Sequence, residues 1–251
     1  MAGHSKWANI RHRKAQVDAR KGKLFSKLTR EILVAVREGG PDPEKNPRLR
    51  RAIERAKQAN MPSESIERAI KKASGAAAEG QYEEVYYEAY APFGVALYIR
   101  SLTDNRNRTV GEIKHLLNKN QGTLAEKNAV AWMFERKGFI AGERGQAEEE
   151  ELFEAAVDAG AEDITFEGKS FEVITPPGDL DAVKQALQEA GAVLRQAEVT
   201  LLPKNKVPLD GEKAVKVLKL VEALEELDDV QEVYANFDIP GDVMERLLAH
   251  R

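Results

Sequence analysis

"DITFEGKSFEVITPPGDLDAVKQALQEAGAVLRQAEVTLL", residues 163–202, decides the fold of the second half of the chain. Residues 163–167 and 169–175 read as two strands, rich in β-branched and aromatic side chains. Residues 179–190 read as a helix and 192–202 as a further strand. Upstream, residues 130–141 contain strand material, and 148–159 form a helix whose acidic first turn suits the helix dipole. The order β-α-β-β-α-β is the ferredoxin-like arrangement.

Working outward, residues 82–90 and 93–103 alternate Val, Tyr, Leu and Ile around Ala91-Pro92, which predicts a hairpin. A helix carrying Val110, Ile113, Leu116 and Leu117 follows and ends near Gln121-Gly122. Beyond residues 203–208 come an amphipathic helix (Val215, Leu218, Val221, Leu224) and a short strand at 230–237. A hairpin and helix before the ferredoxin-like unit, and a helix and strand after it, predict one domain interrupted by another.

Residues 1–75 read as helical. Leu24, Leu28 and Ile32 repeat at four-residue spacing until Gly39-Gly40-Pro41 stops them. A second helix follows Asn46-Pro47, N-cap and first helical residue, with Leu49, Ile53 and Ala56 on one face. A third follows Pro62-Ser63, with Ile66, Ile70 and Ala73 inside. The stretch before Gly22 makes another helix with a thin apolar face of Ile10, Ala15 and Val17. The expected fold class is α+β, an N-terminal helical bundle followed by two α/β domains, the last ferredoxin-like and inserted in the middle one. The expected boundaries are a basic helical domain at 1–75, a discontinuous α/β domain at 81–129 plus 204–251, and the inserted domain at 130–203.

Charge is distributed unevenly. The net formal charge of the 251 residues is only −4, yet residues 1–75 hold 19 Lys and Arg against 8 Asp and Glu, and the remainder holds 19 against 34. A basic module on an acidic body meets a polyanion in one orientation. Cysteine is absent, which excludes disulfides and thiolate metal sites. No apolar run approaches the length of a membrane span, and no secretory core precedes the helices, so a cytoplasmic protein without a membrane partner is expected. Enzyme signatures are lacking: no Gly-rich phosphate loop, no H-E-x-x-H, no G-x-S-x-G. The histidines His4, His12, His115 and His250 are scattered. A non-enzymatic protein with no cofactor, no metal and no small-molecule substrate is expected.

The basic run at residues 3–23 is the first candidate surface. Lys6, Arg11, Arg13, Lys14, Arg20, Lys21 and Lys23 supply phosphate contacts, while Trp7 and His12 can stack on an unpaired base. Trp7 can equally anchor the segment to the bundle. Lys27 extends the run. A second cluster contains Arg48, Arg50, Arg51, Arg55 and Lys57, followed by Arg68, Lys71 and Lys72. "TDNRNRT", residues 103–109, is either a capped strand-to-helix turn or a further basic contact through Arg106 and Arg108.

These residues carry a resemblance. "MAGHSKWANIRHRKAQVDARKGKLFSKL", "GGPDPEKNPRLRRAIERAKQANMPSESIERAIKKASG", "TDNRNRTVGEIKHLL", "AVAWMFERKG" and "LPKNKVPL" are similar, in order and over nearly the whole chain, to the YebC family of probable transcriptional regulators and mitochondrial translational activators of cytochrome c oxidase. The resemblance implies three domains with the last inserted in the middle one, and no established enzymatic activity. It implies nucleic-acid contact at Lys6, Arg11, Arg13, Lys14, Lys21 and Lys23. For function it implies either action in translation, on the ribosome at difficult stretches such as consecutive prolines, or DNA binding as a transcriptional regulator. A basic bundle on an acidic body suits ribosomal RNA better, so a translation factor is the expected function and a DNA-binding regulator the alternative.

Overall fold

Helix α1 (Asp18–Gly39) opens the structure, a computed structural model that describes residues 18–75 and 82–240, with side chains from residue 22 onward. Contrary to the expected break, α1 runs through Gly22. A glycine in a helix interior costs about 1 kcal/mol, which the buried stripe of Leu28, Ile32, Leu33 and Val36 outweighs. The helix stops at Gly40, whose φ of 84° suits a residue without Cβ and whose amide closes on Val36 O at 2.7 Å.

Buried Asn46 joins α1 to α2 (Pro47–Gln58). Its Oδ1 accepts from the Leu49 amide at 3.0 Å, the expected N-cap. Its Nδ2 donates to Ala35 O at 2.7 Å and Gly40 O at 2.8 Å. Gly39 must be small, since a Cβ there would lie 2.7 Å from the carboxamide. Helix α3 (Ser63–Ser74) closes the bundle, burying Ile66, Ala69 and Ala73 against α1 and α2.

The hairpin forms as the alternation predicts. Strands β1 (Glu83–Tyr90) and β2 (Ala96–Thr103) pair antiparallel from Glu83↔Thr103 to Tyr90↔Ala96. Helix α4 (Arg106–Lys119), N-capped by Asn105, and β3 (Thr123–Leu124) follow. After the intervening segment, α7 (Gly211–Glu225) and β9 (Val230–Ala235) complete a four-stranded sheet in the order β3-β1-β2-β9.

Residues 130–203 contain β4 (Phe134–Glu143), α5 (Glu149–Asp158), β5 (Asp163–Glu167), β6 (Ser170–Thr175), α6 (Leu180–Glu189) and β7 (Val193–Pro203). The antiparallel sheet has the order β5-β6-β4-β7, which is the ferredoxin-like arrangement. One boundary differs from expectation: Ala131–Met133 form a single 3-10 turn, with the Met133 amide on Val130 O, so the strand begins at Phe134. Short strands β8 (Val207–Pro208) and β10 (Phe237–Asp238) pair in parallel. The described residues divide into two compact units, 18–129 with 215–233, and 130–214 with 234–240.

Within the first unit a chain of alternating charges ties bundle to sheet. Arg100, buried on β2, donates through Nη2 to Glu31 on α1 at 2.5 Å and through Nε to Glu84 on β1. Its Nη1 lies 3.5 Å from Glu232 on β9. Arg48 bridges Glu31 (3.0 Å), Glu38 (2.7 Å) and Glu84 (3.3 Å), and Arg55 reaches Glu232 at 3.2 Å. Burial alone would lower the Arg100 pKa; Glu232, Glu31 and Glu84 outweigh it and raise it.

Arg100→Ala leaves three glutamates facing one another without their shared cation. We expect a loss of about 3–5 kcal/mol, measurable as a drop in urea unfolding free energy. The same network dictates acid sensitivity. Burial by itself would raise the Glu84 pKa, but Arg100 and then Arg48 hold it below the ordinary 4.5. The unfolded chain therefore takes up this proton at higher pH than the folded chain does. Its contribution is present above about pH 4.5 and is lost as pH falls through the depressed folded value. Glu84→Gln, compared with wild type by urea midpoints between about pH 3 and pH 6, should show a shallower acid-side decline.

Candidate nucleic-acid interface

Three cations of α1 lie at i, i+4 and i+7: Lys23, Lys27 and Arg30. That spacing aligns them on one face. Lys23 Nζ donates to Glu226 O at 3.1 Å, Lys27 Nζ to Glu225 O at 2.5 Å, and Arg30 Nη1 to Asp228 O. These carbonyls belong to the last turn of α7 and the loop after it. Carbonyls at a helix C-terminus lack intrahelical partners, and cations complement the negative end of the dipole. Lys23 and Lys27, expected on a phosphate surface, therefore also cap α7.

The Thr103–Thr109 motif closes around Asp229, whose side chain is only 2% exposed. Asp229 Oδ2 accepts from the Thr109 hydroxyl at 2.8 Å and from Arg108 Nη2 at 2.7 Å. Thr103 Oγ1, which accepts the Asn105 amide at 2.9 Å, lies 3.2 Å from the same oxygen. Oδ1 faces Arg30 at 3.7 Å. Arg108 also holds Asp104 at 2.7 Å, and these hydrogen bonds, from Asp229 first and Asp104 second, raise its pKa. Arg106 forks onto Glu83 and, chiefly through its hydrogen bond, lowers the Glu83 pKa. The capped-turn reading of the motif is what the turn shows, since Asn105 caps α4, while Arg106 and Arg108, expected as a further basic contact, are ion-paired to carboxylates of the protein itself.

A cleft of about 490 Å³ opens beside this knot, and its walls carry five carboxylates against three cations. Arg30 lies over the Tyr82 ring there, 5.6 Å from its centroid. The net negative wall does not draw in a phosphate. Among the described residues no cluster of three or more His, Cys, Asp or Glu can hold a metal ion. No helix among them is long and apolar enough to cross a membrane.

The remaining sequence candidates divide by helix phase. Arg48 and Arg55, seven residues apart on α2, turn toward the glutamates of the sheet. Arg51, with Arg50 and Lys57, points outward and is exposed, as are Arg68, Lys71 and Lys72 on α3. None of these six is ion-paired among the described residues. The signal was in the sequence: Arg50, Arg51 and Lys57 lie across the helix from Leu49, Ala52 and Ala56, whereas Arg48 and Arg55 flank that buried stripe. Arg20 and Lys21 lie in α1, their side chains outside the described ones; Lys6, Trp7, Arg11, His12, Arg13 and Lys14 lie outside the described residues.

This is an α+β protein in which, among the described residues, a basic bundle of three helices is clamped to a four-stranded sheet, with a ferredoxin-like segment lying in sequence between the two parts of the chain that build the sheet. Two family descriptions match it, "TACO1/YebC protein N-terminal domain" over residues 5–76 and "TACO1/YebC second and third domain" over 82–237. The chain belongs to the TACO1/YebC family. A probable transcriptional regulatory protein of Natranaerobius thermophilus is 54% identical over 248 residues, 98% of this chain and 99% of that one. Another of the same description, from Thermotoga maritima, is 54% identical over 250 residues, 99% of this chain and 98% of that one. The crystal structure of a conserved hypothetical protein from Aquifex aeolicus superposes with a TM-score of 0.78 at 52% identity, covering 90% of this chain and 93% of that one.

Asp229→Ala should cost about 1–3 kcal/mol, because buried hydroxyls lose their acceptor. Lys23→Ala, which removes a surface pair, should cost at most about 1 kcal/mol. Urea denaturation of the two variants at neutral pH measures the difference.

Proposed function

We propose that this protein is a non-enzymatic, nucleic-acid-binding regulator of gene expression, in which residues 1–75 form the binding module. The supporting observation is the set of outward cations Arg50, Arg51, Lys57, Arg68, Lys71 and Lys72, unpaired among the described residues, on a bundle whose inward arginines are neutralised. Cations that hold no carboxylate are the ones available to replace counterions on a phosphate backbone. The basic run at residues 3–23 adds charge to the same module.

Such a surface holds backbone and shape more than base edges, which favours structured RNA. We therefore read the protein as a cytoplasmic translation factor that contacts ribosomal RNA and relieves difficult, proline-rich elongation. The second reading, a DNA-binding transcriptional regulator, is favoured by the descriptions of its relatives in Natranaerobius thermophilus and Thermotoga maritima.

Crosslinking in cells followed by sequencing of bound RNA and DNA separates the two. Enrichment of ribosomal RNA supports the translation factor; enrichment of promoter DNA would overturn it in favour of transcription. In vitro, Arg50→Ala/Arg51→Ala/Lys57→Ala should weaken binding across all sequences. It should also flatten the log-log salt dependence by roughly 0.7 per lost contact on single strands, or 0.9 on duplex. Arg48→Ala should instead lower stability before it lowers affinity.

A further inference from the structure

The ferredoxin-like unit carries a corner that the bundle does not explain. Trp132, in the 3-10 turn before β4, is 59% exposed. A single exposed apolar residue is ordinary on a protein surface. What surrounds this one is not. Phe134 pairs opposite Pro203, and the Lys204 amide donates to Met133 O at 2.8 Å, so the β4–β7 ladder brings Lys204 beside the turn that carries Trp132. Lys206 follows two residues on, and the Val207 amide then donates to Asn236 O at 2.7 Å. Arg136 sits on β4 opposite Leu201. Arg136, Lys204 and Lys206 are all exposed, and none is ion-paired among the described residues. Glu135, the acid within this stretch, is engaged by Lys137 at 3.3 Å.

The contrast with the first unit is chemical. There Arg100, Arg106 and Arg108 are each held by carboxylates. Here three cations, none ion-paired among the described residues, lie on the strand ends and loop that adjoin the turn carrying the exposed Trp132, on backbone fixed at both ends by hydrogen bonds. Lysine is depleted at protein–protein interfaces, whereas cations beside an aromatic platform suit a strand with phosphates and unpaired bases.

We propose that Trp132, Lys204, Lys206 and Arg136 form a contact site for single-stranded nucleic acid, with a base stacked on the indole and phosphates held by the cations. None of these four residues belongs to the bundle surface invoked under the proposed function.

The test uses the full chain with Trp7→Phe, which leaves Trp132 as the only tryptophan. The probes are a uridine and a deoxyuridine oligonucleotide of about a dozen nucleotides, within the site sizes of single-strand binders, and a duplex of equal length. Stacking predicts quenching of Trp132 emission on adding either single strand, and the tighter of the two identifies the sugar preferred. Trp132→Ala should weaken single-strand binding about tenfold, and Trp132→Phe should retain most of it. Lys204→Ala/Lys206→Ala should reduce the salt slope by about 1.4. Circular dichroism should show the Trp132 and Lys204/Lys206 variants as folded as the Trp7→Phe parent, since Trp132, Lys204 and Lys206 are exposed. Unquenched emission at saturation, or unchanged affinity in Trp132→Ala, overturns the proposal and leaves the corner to a protein partner. Loss of affinity only in the Arg50/Arg51/Lys57 variant would overturn it too, while leaving the bundle reading intact.

Discussion

The Arg100 guanidinium is the constraint on which the first unit depends. It leaves the central sheet from β2 and touches carboxylates from α1, β1 and β9. A buried cation with that many partners cannot lose one cheaply, because the remainder is an uncompensated charge in a poorly solvated place. Bundle position, hairpin register and β9 placement are therefore coupled through a single planar group. Arg48 and Arg55 extend the coupling, so α2 is docked by electrostatics along its length while the cations of its opposite face hold no carboxylate among the described residues.

This division of labour gives the basic composition two meanings. Cations on the inward faces neutralise carboxylates or cap carbonyls, and they hold the molecule together. Cations on the outward faces of α2 and α3 have no such task among the described residues. The same contrast recurs between the Thr103–Thr109 arginines, bound to Asp229, Asp104 and Glu83, and the exposed set around Trp132.

Much of the fold was legible because its signals are local. Asn46 and Asn105 cap helices from three residues away, Gly40 ends α1, and the β-α-β-β-α-β pattern needs only period and order. What the sequence could not show is which arginine meets which acid. Arg108 and Asp229 are 121 positions apart, and Arg55 and Glu232 are 177 apart. No spacing rule spans that distance, so Arg48, Arg106 and Arg108 looked as available as Arg51. Helix phase could have separated Arg48 from Arg51, since the buried Leu49, Ala52 and Ala56 define the inward side of α2. The continuity of α1 through Gly22 was missed for a different reason: its stability comes from packing further along the helix, which overrides a local breaker.

The discontinuous sheet also imposes an order on assembly during synthesis. When Arg100 emerges from the ribosome, Glu31 and Glu84 already precede it, but Glu232 comes about 130 residues later. At about 5–20 residues per second, that interval is of the order of ten seconds. Throughout it, the bundle and hairpin stand without the loop and strand that supply Asp229 and Glu232, and the cations of α1 stand without the α7 carbonyls they cap. The intervening ferredoxin-like segment has its own core of Ile140, Leu152, Phe171 and Leu187 and is complete before that strand appears. That late strand is thus the latch: the nascent chain carries a basic, half-neutralised module until β9 arrives.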